Sequence, residues 1–249
     1  MLSSVGWAAL GVGFIFLMTS LGAASVLFCR EDTLPKSQTG MMGFAGGVMT
    51  AATVWSMLLP AIEQTRSEGT LPCWLPAAAG TAAGAAFLCA LDALILRLRR
   101  GGSAEKSSML MTAITLHNIP EGMAVGLAFA LSGGADGLTA AAALALGIGV
   151  QNVPEGAAVS LPLRRMGMSR GRAFSMGVFS GAVEPLFGML AVMAVSGISR
   201  IMPWLLGFSA GAMLYVVVCE LIPAADDRRG LFWYIAGFLL MMILDVALG

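Results

Sequence analysis

The sequence predicts an all-α membrane protein that folds as a single domain over residues 1–249. Three observations lead to this prediction. Hydrophobic residues make up 58% of the chain and charged residues only 11%, whereas an ordinary soluble domain carries about 25% charged residues. Glycine is abundant, with 32 residues, as it is in membrane helices that pack closely together. Long apolar segments also recur along the chain, with only short polar stretches between them.

Eight apolar segments are each long enough to cross a bilayer, which takes roughly 20 mostly apolar residues. In chain order they are 5–28, 41–62, 73–96, 108–131, 138–163, 174–195, 203–224 and 231–248. The connections between them have turn and loop composition and leave no room for a soluble domain. The first segment lacks a preceding basic stretch, so we expect a retained transmembrane helix rather than a signal peptide.

The distribution of basic residues predicts the orientation in the membrane. The loops after segments one, three, five and seven hold twelve of the fourteen Lys and Arg residues. Because cytoplasmic loops carry an excess of these residues, we expect both termini on the outer side. No basic patch with interleaved aromatic residues occurs, so we expect no nucleic-acid partner.

A polar motif in the fourth segment is nearly repeated in the fifth. His-Asn-Ile-Pro-Glu-Gly at 117–122 contains the only histidine of the chain, and Gln-Asn-Val-Pro-Glu-Gly follows at 151–156. Residues four apart share a helix face, so His117 and Glu121 lie on one face with Asn118 beside them. The second copy repeats this geometry with Gln151, Asn152 and Glu155. Two such halves on consecutive helices suggest one site.

Six acidic residues lie within the predicted segments, and no Lys or Arg lies at a comparable depth. They are Asp92, Glu121, Glu155, Glu184, Glu220 and Asp245. A charged group in hydrocarbon costs roughly 2.5–3.5 kcal/mol on insertion scales, so acids without basic partners indicate protonation, a water-filled cavity or a cation. We regard the missing basic partners as the main reason to expect a cation.

Prolines and a weak internal symmetry add to this picture. Pro120 and Pro154 cannot donate a backbone hydrogen bond, so we expect a kink in each helix and a free carbonyl oxygen that lines a cavity. Segments two and seven end in similar sequences, Leu-Leu-Pro-Ala at 58–61 and Leu-Ile-Pro-Ala at 221–224. Such similarity is expected of inverted repeats that meet at the membrane midplane, where transporters bind their substrate.

One imidazole with amides and carboxylates suits a divalent ion such as Zn²⁺, Mn²⁺ or Fe²⁺ and suits Cu⁺ poorly. The residues do not rank Zn²⁺ against Fe²⁺, Mn²⁺, Cd²⁺ or Co²⁺.

Two other functions stay open. An intramembrane metal-dependent hydrolase is one, although a zinc protease of the His-Glu-x-x-His type needs a second histidine. The other is transport of protons or another solute with a regulatory metal. We expect no catalytic cofactor.

With these motifs, the chain resembles the ZIP divalent-metal transporters, and its GufA-type bacterial branch in particular. The two motifs at 117–122 and 151–156 carry this resemblance, together with Phe-Ala-Gly-Gly-Val-Met at 44–49 and Glu-Pro at 184–185. It implies eight helices with inverted repeats, a multi-pass protein of the bacterial inner (plasma) membrane, and metal transport toward the cytoplasm. An elevator-like movement of one helix bundle against the other is implied as well. A homodimer stays open.

The resemblance implies two metal positions between the fourth and fifth helices. The first position would use His117, Glu121, Gln151 and Glu155, with Met49 nearby. The second would use Asn118, Glu121, Asn152, Glu155 and Glu184. The chain departs from the family where Asn152 replaces an Asp and where Cys219-Glu220 replaces His-Glu. We expect at most an accessory role for three further residues, which are Glu220, Cys219 and Asp92.

Overall fold

The computed structural model describes residues 3–28, 34–98, 104–132 and 134–248, and these ranges contain helices and short connections but no strand. The helices are α1 (Ser4–Phe28), α2 (Leu34–Ala52), α3 (Leu59–Glu68), α4 (Leu75–Leu98), α5 (Ala104–Leu131), α6 (Gly134–Arg165), α7 (Arg170–Gly181), α8 (Val183–Met193), α9 (Val195–Val216), α10 (Ile222–Ala224) and α11 (Arg228–Leu248). Two π-helical segments, π1 (Thr53–Leu58) and π2 (Val217–Leu221), join α2 to α3 and α9 to α10.

Each predicted segment corresponds to a helix or to a run of joined helices. Seven helical stretches among the described residues are long and apolar enough to cross a membrane, and Asn118–Leu131 within α5 is a shorter apolar one. The all-helical membrane fold is therefore confirmed, and the number of eight crossings stays a prediction. The second segment extends further than predicted, to Glu68, where Gly69 ends the helix with a positive φ of 64°.

Irregular turns occur in two helices where the sequence did not predict them. Helices α5 and α6 continue as α-helix through Pro120 and Pro154, and the kinks expected there stay a prediction. Wide turns come directly before Pro60 and Pro223. The Leu59 N–H donates to the Val54 carbonyl, and the Ile222 N–H donates to the Val217 carbonyl, each five residues back.

The two π segments have a common physical cause. A proline ring clashes with the carbonyl four residues before it, and that residue lies inside π1 for Pro60 and inside π2 for Pro223. The wider turn gives the ring room, and such π bulges are frequent at functional sites. Their matching positions in segments two and seven agree with the internal symmetry that the sequence suggests.

The helices form two bundles. The site bundle consists of α1, α5, α6, α7 and α8, in which α1 packs along α6 and α5 along α8. The flanking bundle consists of α2, α3, α4, α9, α10 and α11 with the two π segments, in which α2 packs along α11 and α4 along α9. The bundles meet mainly where α5 contacts α9 and α2 contacts α6.

Glycines allow the backbones within each bundle to approach one another. A Cβ at Gly22 in α1 would overlap the Val153 carbonyl of α6, and a Cβ at Gly84 in α4 would overlap the Phe208 carbonyl of α9. Among the described glycines, every one whose Cβ would overlap the backbone of another helix joins two helices of the same bundle. Each bundle is thus held together by backbone contacts that tolerate no side chain.

Candidate metal site

The polar site lies inside the site bundle, between α5, α6 and α8. Its carboxyl and amide side chains are excluded from solvent, with Glu121 only 1% exposed and the others 0%. They are six of the predicted ligands, namely Asn118, Glu121, Gln151, Asn152, Glu155 and Glu184. The structure therefore brings both copies of the repeated motif and Glu184 into one buried region, as the helix spacing predicts.

Glu184 owes its position to a break in the helix that follows α6. This sixth predicted segment is divided at Ala182, so that Glu184 falls in the first turn of α8. Pro185 follows it and lacks the N–H that would bond to the Gly181 carbonyl, which explains why α7 ends there. The break directs Glu184 toward the motif on α5.

Two donors hold one oxygen of Glu184. The Thr19 hydroxyl of α1 donates to Glu184 Oε1 at 2.7 Å, and Asn118 Nδ2 donates to the same oxygen at 3.1 Å. The Asn118 amide also donates to the Ser180 carbonyl at 3.3 Å. Both donors of that amide are thereby used, which leaves its oxygen as the group available to a ligand.

The amides of α6 are anchored in the same way. Gln151 Nε2 donates a hydrogen bond to Glu121 Oε1. Asn152 Nδ2 donates to the Ile15 carbonyl of α1 at 3.4 Å. Each amide thus uses its nitrogen to fix its orientation and turns its oxygen toward the remaining space.

Four buried oxygens of the site accept no hydrogen bond among the described residues. They are Asn118 Oδ1, Gln151 Oε1, Asn152 Oδ1 and Glu184 Oε2. A buried acceptor without a donor costs about 1–3 kcal/mol, so four of them in one region need an explanation. A bound divalent cation supplies one, because amide and carboxylate oxygens are suitable ligands for it.

Three carboxyl groups contribute negative charge to this region. Glu121, Glu155 and Glu184 lie close enough to interact electrostatically with one another. Within the described part of the chain, however, no three His, Cys, Asp or Glu side chains are arranged to hold a metal ion by themselves. The amide oxygens must therefore complete any metal position built from these groups.

Two further predicted ligands belong to the first position. His117 belongs to α5, but its side chain lies outside the described residues, so its role stays a prediction. Met49 is fully buried in the core where α2 packs against residues of α6 and α9. Its backbone carbonyl accepts a hydrogen bond from Thr53 at 2.7 Å. Its sulfur as a ligand also stays a prediction.

The accessory candidates form a separate group, with Asp92 in α4 and with Cys219 and Glu220 in π2. Tyr215 OH donates to Asp92 Oδ2 at 3.0 Å. Cys219 is exposed and lies near Tyr215, Asp92 and Glu220. Asp92 thus has a phenol partner.

An open cavity of about 650 Å³ lies between α6, α11 and the segment formed by π1 and α3. Asp245 lies in its wall and accepts a hydrogen bond from Ser56 at 2.9 Å, while Asp245 Oδ2 is buried without a hydrogen bond among the described residues. Glu63 lines the same cavity. The cavity lies at the end of the protein where α11 finishes and α6 begins, with these acidic side chains in a largely apolar wall.

Sequence reasoning missed three contributors to the site. Thr19 escaped notice because a lone threonine in an apolar helix is common. The final glycines of the two motifs also have a structural role, since a Cβ at Gly122 would overlap the Glu184 backbone and one at Gly156 would overlap the Thr19 carbonyl. The signal was present in α1, where Thr19, Gly22 and Ala23 share the buried face.

Comparison with known proteins finds a family to which the sequence is similar. The family model described as ZIP Zinc transporter matches residues 100–245 of the chain, which include both motifs and Glu184. The match covers more than half of the sequence.

Several curated relatives are similar over nearly their full length. The Zinc transporter GufA of Myxococcus xanthus is 38% identical over 93% of this chain and 94% of its own length. The Zinc transporter ZIPB of Bordetella bronchiseptica is 37% identical over 98% of this chain and 82% of its own length. The Zinc transporter ZIP11 of Homo sapiens is 35% identical over 99% of this chain and 98% of its own length.

Proposed function

Because the chain belongs to the ZIP family of zinc transporters, we propose that it transports a divalent transition metal, zinc first of all, across a bacterial inner membrane toward the cytoplasm. Members of this family are transporters rather than enzymes. The observation that carries the proposal is the set of four buried oxygens that accept no hydrogen bond from the described residues, beside three buried carboxyl groups. Such a region can bind a divalent metal ion and release it again during transport.

We infer that the site holds two ions that share Glu121 and Glu155. The first ion is bound by His117 and Gln151 in addition to the shared carboxylates. The second is bound by Asn118, Asn152 and Glu184, whose available oxygens all accept no hydrogen bond from the described residues. Because Asn152 is neutral where the family resemblance implies an Asp, and because the second position has no imidazole ligand, the second ion is bound less tightly than the first.

The chemistry of the site accounts for selective transfer of an ion. Carboxylates compensate the charge of a divalent cation as it loses its water shell, and the amide oxygens replace further water molecules. His117 adds a nitrogen ligand, which Zn²⁺ and related transition metals accept and which Mg²⁺ and Ca²⁺ disfavour. The cavity beside Asp245 is the entry route in this proposal, because its acidic lining attracts cations.

We propose that access alternates by an elevator-like movement of the site bundle against the flanking bundle. All close glycine–backbone contacts between described helices join helices of one bundle, so each bundle can move as a rigid body. No described glycine makes such a backbone contact between the bundles, so the surfaces of α5, α9, α2 and α6 can exchange partners as they slide. All six of the central ligands described above belong to the site bundle and would travel together.

A disulfide between the bundles is expected to stop transport. A Cβ at Gly147 of α6 would lie 3.4 Å from Asp245 Oδ1 of α11, so these two positions face each other across the boundary between the bundles and are the pair chosen for cysteine cross-linking. In a background with the four native cysteines replaced by serine, Gly147→Cys with Asp245→Cys should lose its remaining zinc uptake on oxidation and regain it on reduction. The reduced double variant is the control, because any loss caused by removing the Asp245 carboxylate is present both before and after oxidation. Equal uptake before and after complete cross-linking would contradict the sliding movement.

Purified protein in liposomes tests the function directly. We expect zinc to enter zinc-free liposomes in a saturable manner, and proton flux without metal to stay at the level of empty liposomes. Proton or other solute flux with no zinc flux would favour a regulatory metal instead. Metal-dependent cleavage of a peptide library by the same preparation would favour the hydrolase alternative.

Orientation and assembly complete the proposal. The cavity walls bring Ala140 of α6 and Asp245 of α11 to one end of the bundle, and a second pocket brings Trp7 of α1 beside Leu138 at the same end. Since the loops at the opposite end carry most basic residues, we infer that both termini lie on the outer side. A homodimer within the bilayer is compatible with this arrangement.

A further inference from the structure

We propose that Thr19 of α1, which is not one of the predicted ligands, is a positioning residue that holds Glu184 as a one-oxygen ligand of the second ion. This inference rests on the proposed transport site and concerns how that site selects its ion. Thr19 is fully buried, and its hydroxyl lies 2.7 Å from Glu184 Oε1. It connects helix α1, which carries no predicted ligand, to the ligand set on α5, α6 and α8.

The geometry assigns the single proton of the Thr19 hydroxyl to Glu184. The other acceptor in reach is the Ile15 carbonyl one turn earlier, at the longer distance of 3.2 Å. Hydroxyl–carboxylate bonds are typically about 2.5–2.7 Å, and a hydroxyl has only one proton to donate. The hydroxyl therefore donates to the carboxylate in preference to the Ile15 carbonyl.

Glu184 is consequently divided into one occupied and one available oxygen. Oε1 accepts from both Thr19 and Asn118, whereas Oε2 is buried and accepts no hydrogen bond from the described residues. A carboxylate fixed in this way binds a metal through Oε2 alone. One-oxygen binding suits the low coordination number of Zn²⁺, while two-oxygen binding is common for larger ions with six to eight ligands.

The surroundings of Thr19 keep its hydroxyl in this position. A Cβ at Gly181 of α7 would lie 2.8 Å from Thr19 Cγ2, and a Cβ at Gly156 of α6 would overlap the Thr19 carbonyl. Helices α6 and α7 thus both pack tightly against Thr19, so its side chain has little freedom to adopt another rotamer. The motif glycine at 156 and the threonine act together in placing Glu184.

Replacement of Thr19 by valine, which keeps its shape, tests the proposal. Zinc binding to the purified protein is measured by calorimetry, with Mn²⁺ competition as a second measurement. In Thr19→Val we expect the weaker of two zinc affinities to fall by about 10- to 100-fold, the range for groups that orient metal ligands. The stronger affinity should be unchanged, and the preference for zinc over Mn²⁺ should decrease. Thr19→Ser, which keeps the hydroxyl, should restore both the weaker zinc affinity and the preference for zinc over Mn²⁺.

A matched control is Thr65→Val. Thr65 is also buried and donates to the carbonyl four residues earlier, at 2.7 Å, but it lies in α3 of the flanking bundle. The Thr65→Val variant should bind zinc like the wild type. If Thr19→Val unfolds, Thr19→Ala, which removes the hydroxyl without adding bulk, replaces it in the comparison.

The outcomes separate this inference from the proposed function. Two zinc affinities in the wild type with a selective loss of one in Thr19→Val support the positioning role. Unchanged affinities in Thr19→Val, or an equal loss of both together with a lower melting temperature and no rescue by serine, would overturn it. A wild-type protein that binds and transports no zinc would instead overturn the proposed function.

Discussion

Zinc uptake is expected to fall to background when Glu121 is replaced by alanine. Glu121 is buried, accepts a hydrogen bond from Gln151, and belongs to both proposed metal positions. Loss of a group that merely orients a ligand already lowers metal affinity by about 10- to 100-fold, so loss of a shared ligand should have a larger effect. The measurement is the initial rate of zinc accumulation in vesicles that contain equal amounts of wild type and Glu121→Ala.

Glu68→Ala provides the control for this experiment. Glu68 is an exposed carboxylate at the end of α3 that pairs with Gln64, and its loss should leave the rate unchanged. Glu121→Gln keeps the shape of the side chain but removes its charge, and it should also lose uptake. Normal zinc accumulation by Glu121→Ala at equal expression would show that the assignment of the site is wrong.

Replacement of Gly122 by alanine should disrupt the site without removing any ligand. A Cβ at this position would overlap the backbone of Glu184 in α8, and backbone cannot move aside as a side chain can. Overpacking of this kind costs about 1–3 kcal/mol. The displaced helix should carry Glu184 away from α5, so we expect loss of the second zinc affinity together with a lower melting temperature in detergent.

Gly13→Ala is the matched control because a Cβ on Gly13 of α1 would meet no atom within 4 Å. Alanine is the better helix former by roughly 0.5–1 kcal/mol, so this variant should be as stable as the wild type or more so. If Gly122→Ala retained both zinc affinities and the wild-type melting temperature, the close approach of α5 and α8 would not be needed for the site.

Much of the fold could be predicted because hydrophobicity alone specifies a membrane helix. Each apolar run in the sequence became a helix, since backbone groups in lipid must bond within their own segment. The ends of the helices were less predictable. The polar residues of α3 beyond position 62 continue the helix to Glu68, and hydropathy cannot detect a helix that extends into water. The π turns before Pro60 and Pro223 were also not predicted, because the same residues could have been accommodated by a kink.

The part of the site that belongs to the repeated motif was predictable, because that motif is a local pattern in the sequence. Helix periodicity places Glu121 four residues after His117 and repeats the arrangement in the fifth segment, so the spacing alone was enough to combine the two motifs. Thr19 and the motif glycines were not predictable in this way. Their roles depend on which helices become neighbours, and that information is distributed over distant parts of the chain.

The metal site built from the two repeated motifs can be tested by anomalous X-ray scattering at the zinc edge, recorded from crystals soaked in zinc. We expect two zinc peaks between α5, α6 and α8, each in contact with Glu121 and Glu155. The second zinc should contact Oδ1 of Asn118 and of Asn152 and only the Oε2 oxygen of Glu184. A site bundle without a zinc peak, or zinc bound only at the surface, would contradict this metal site.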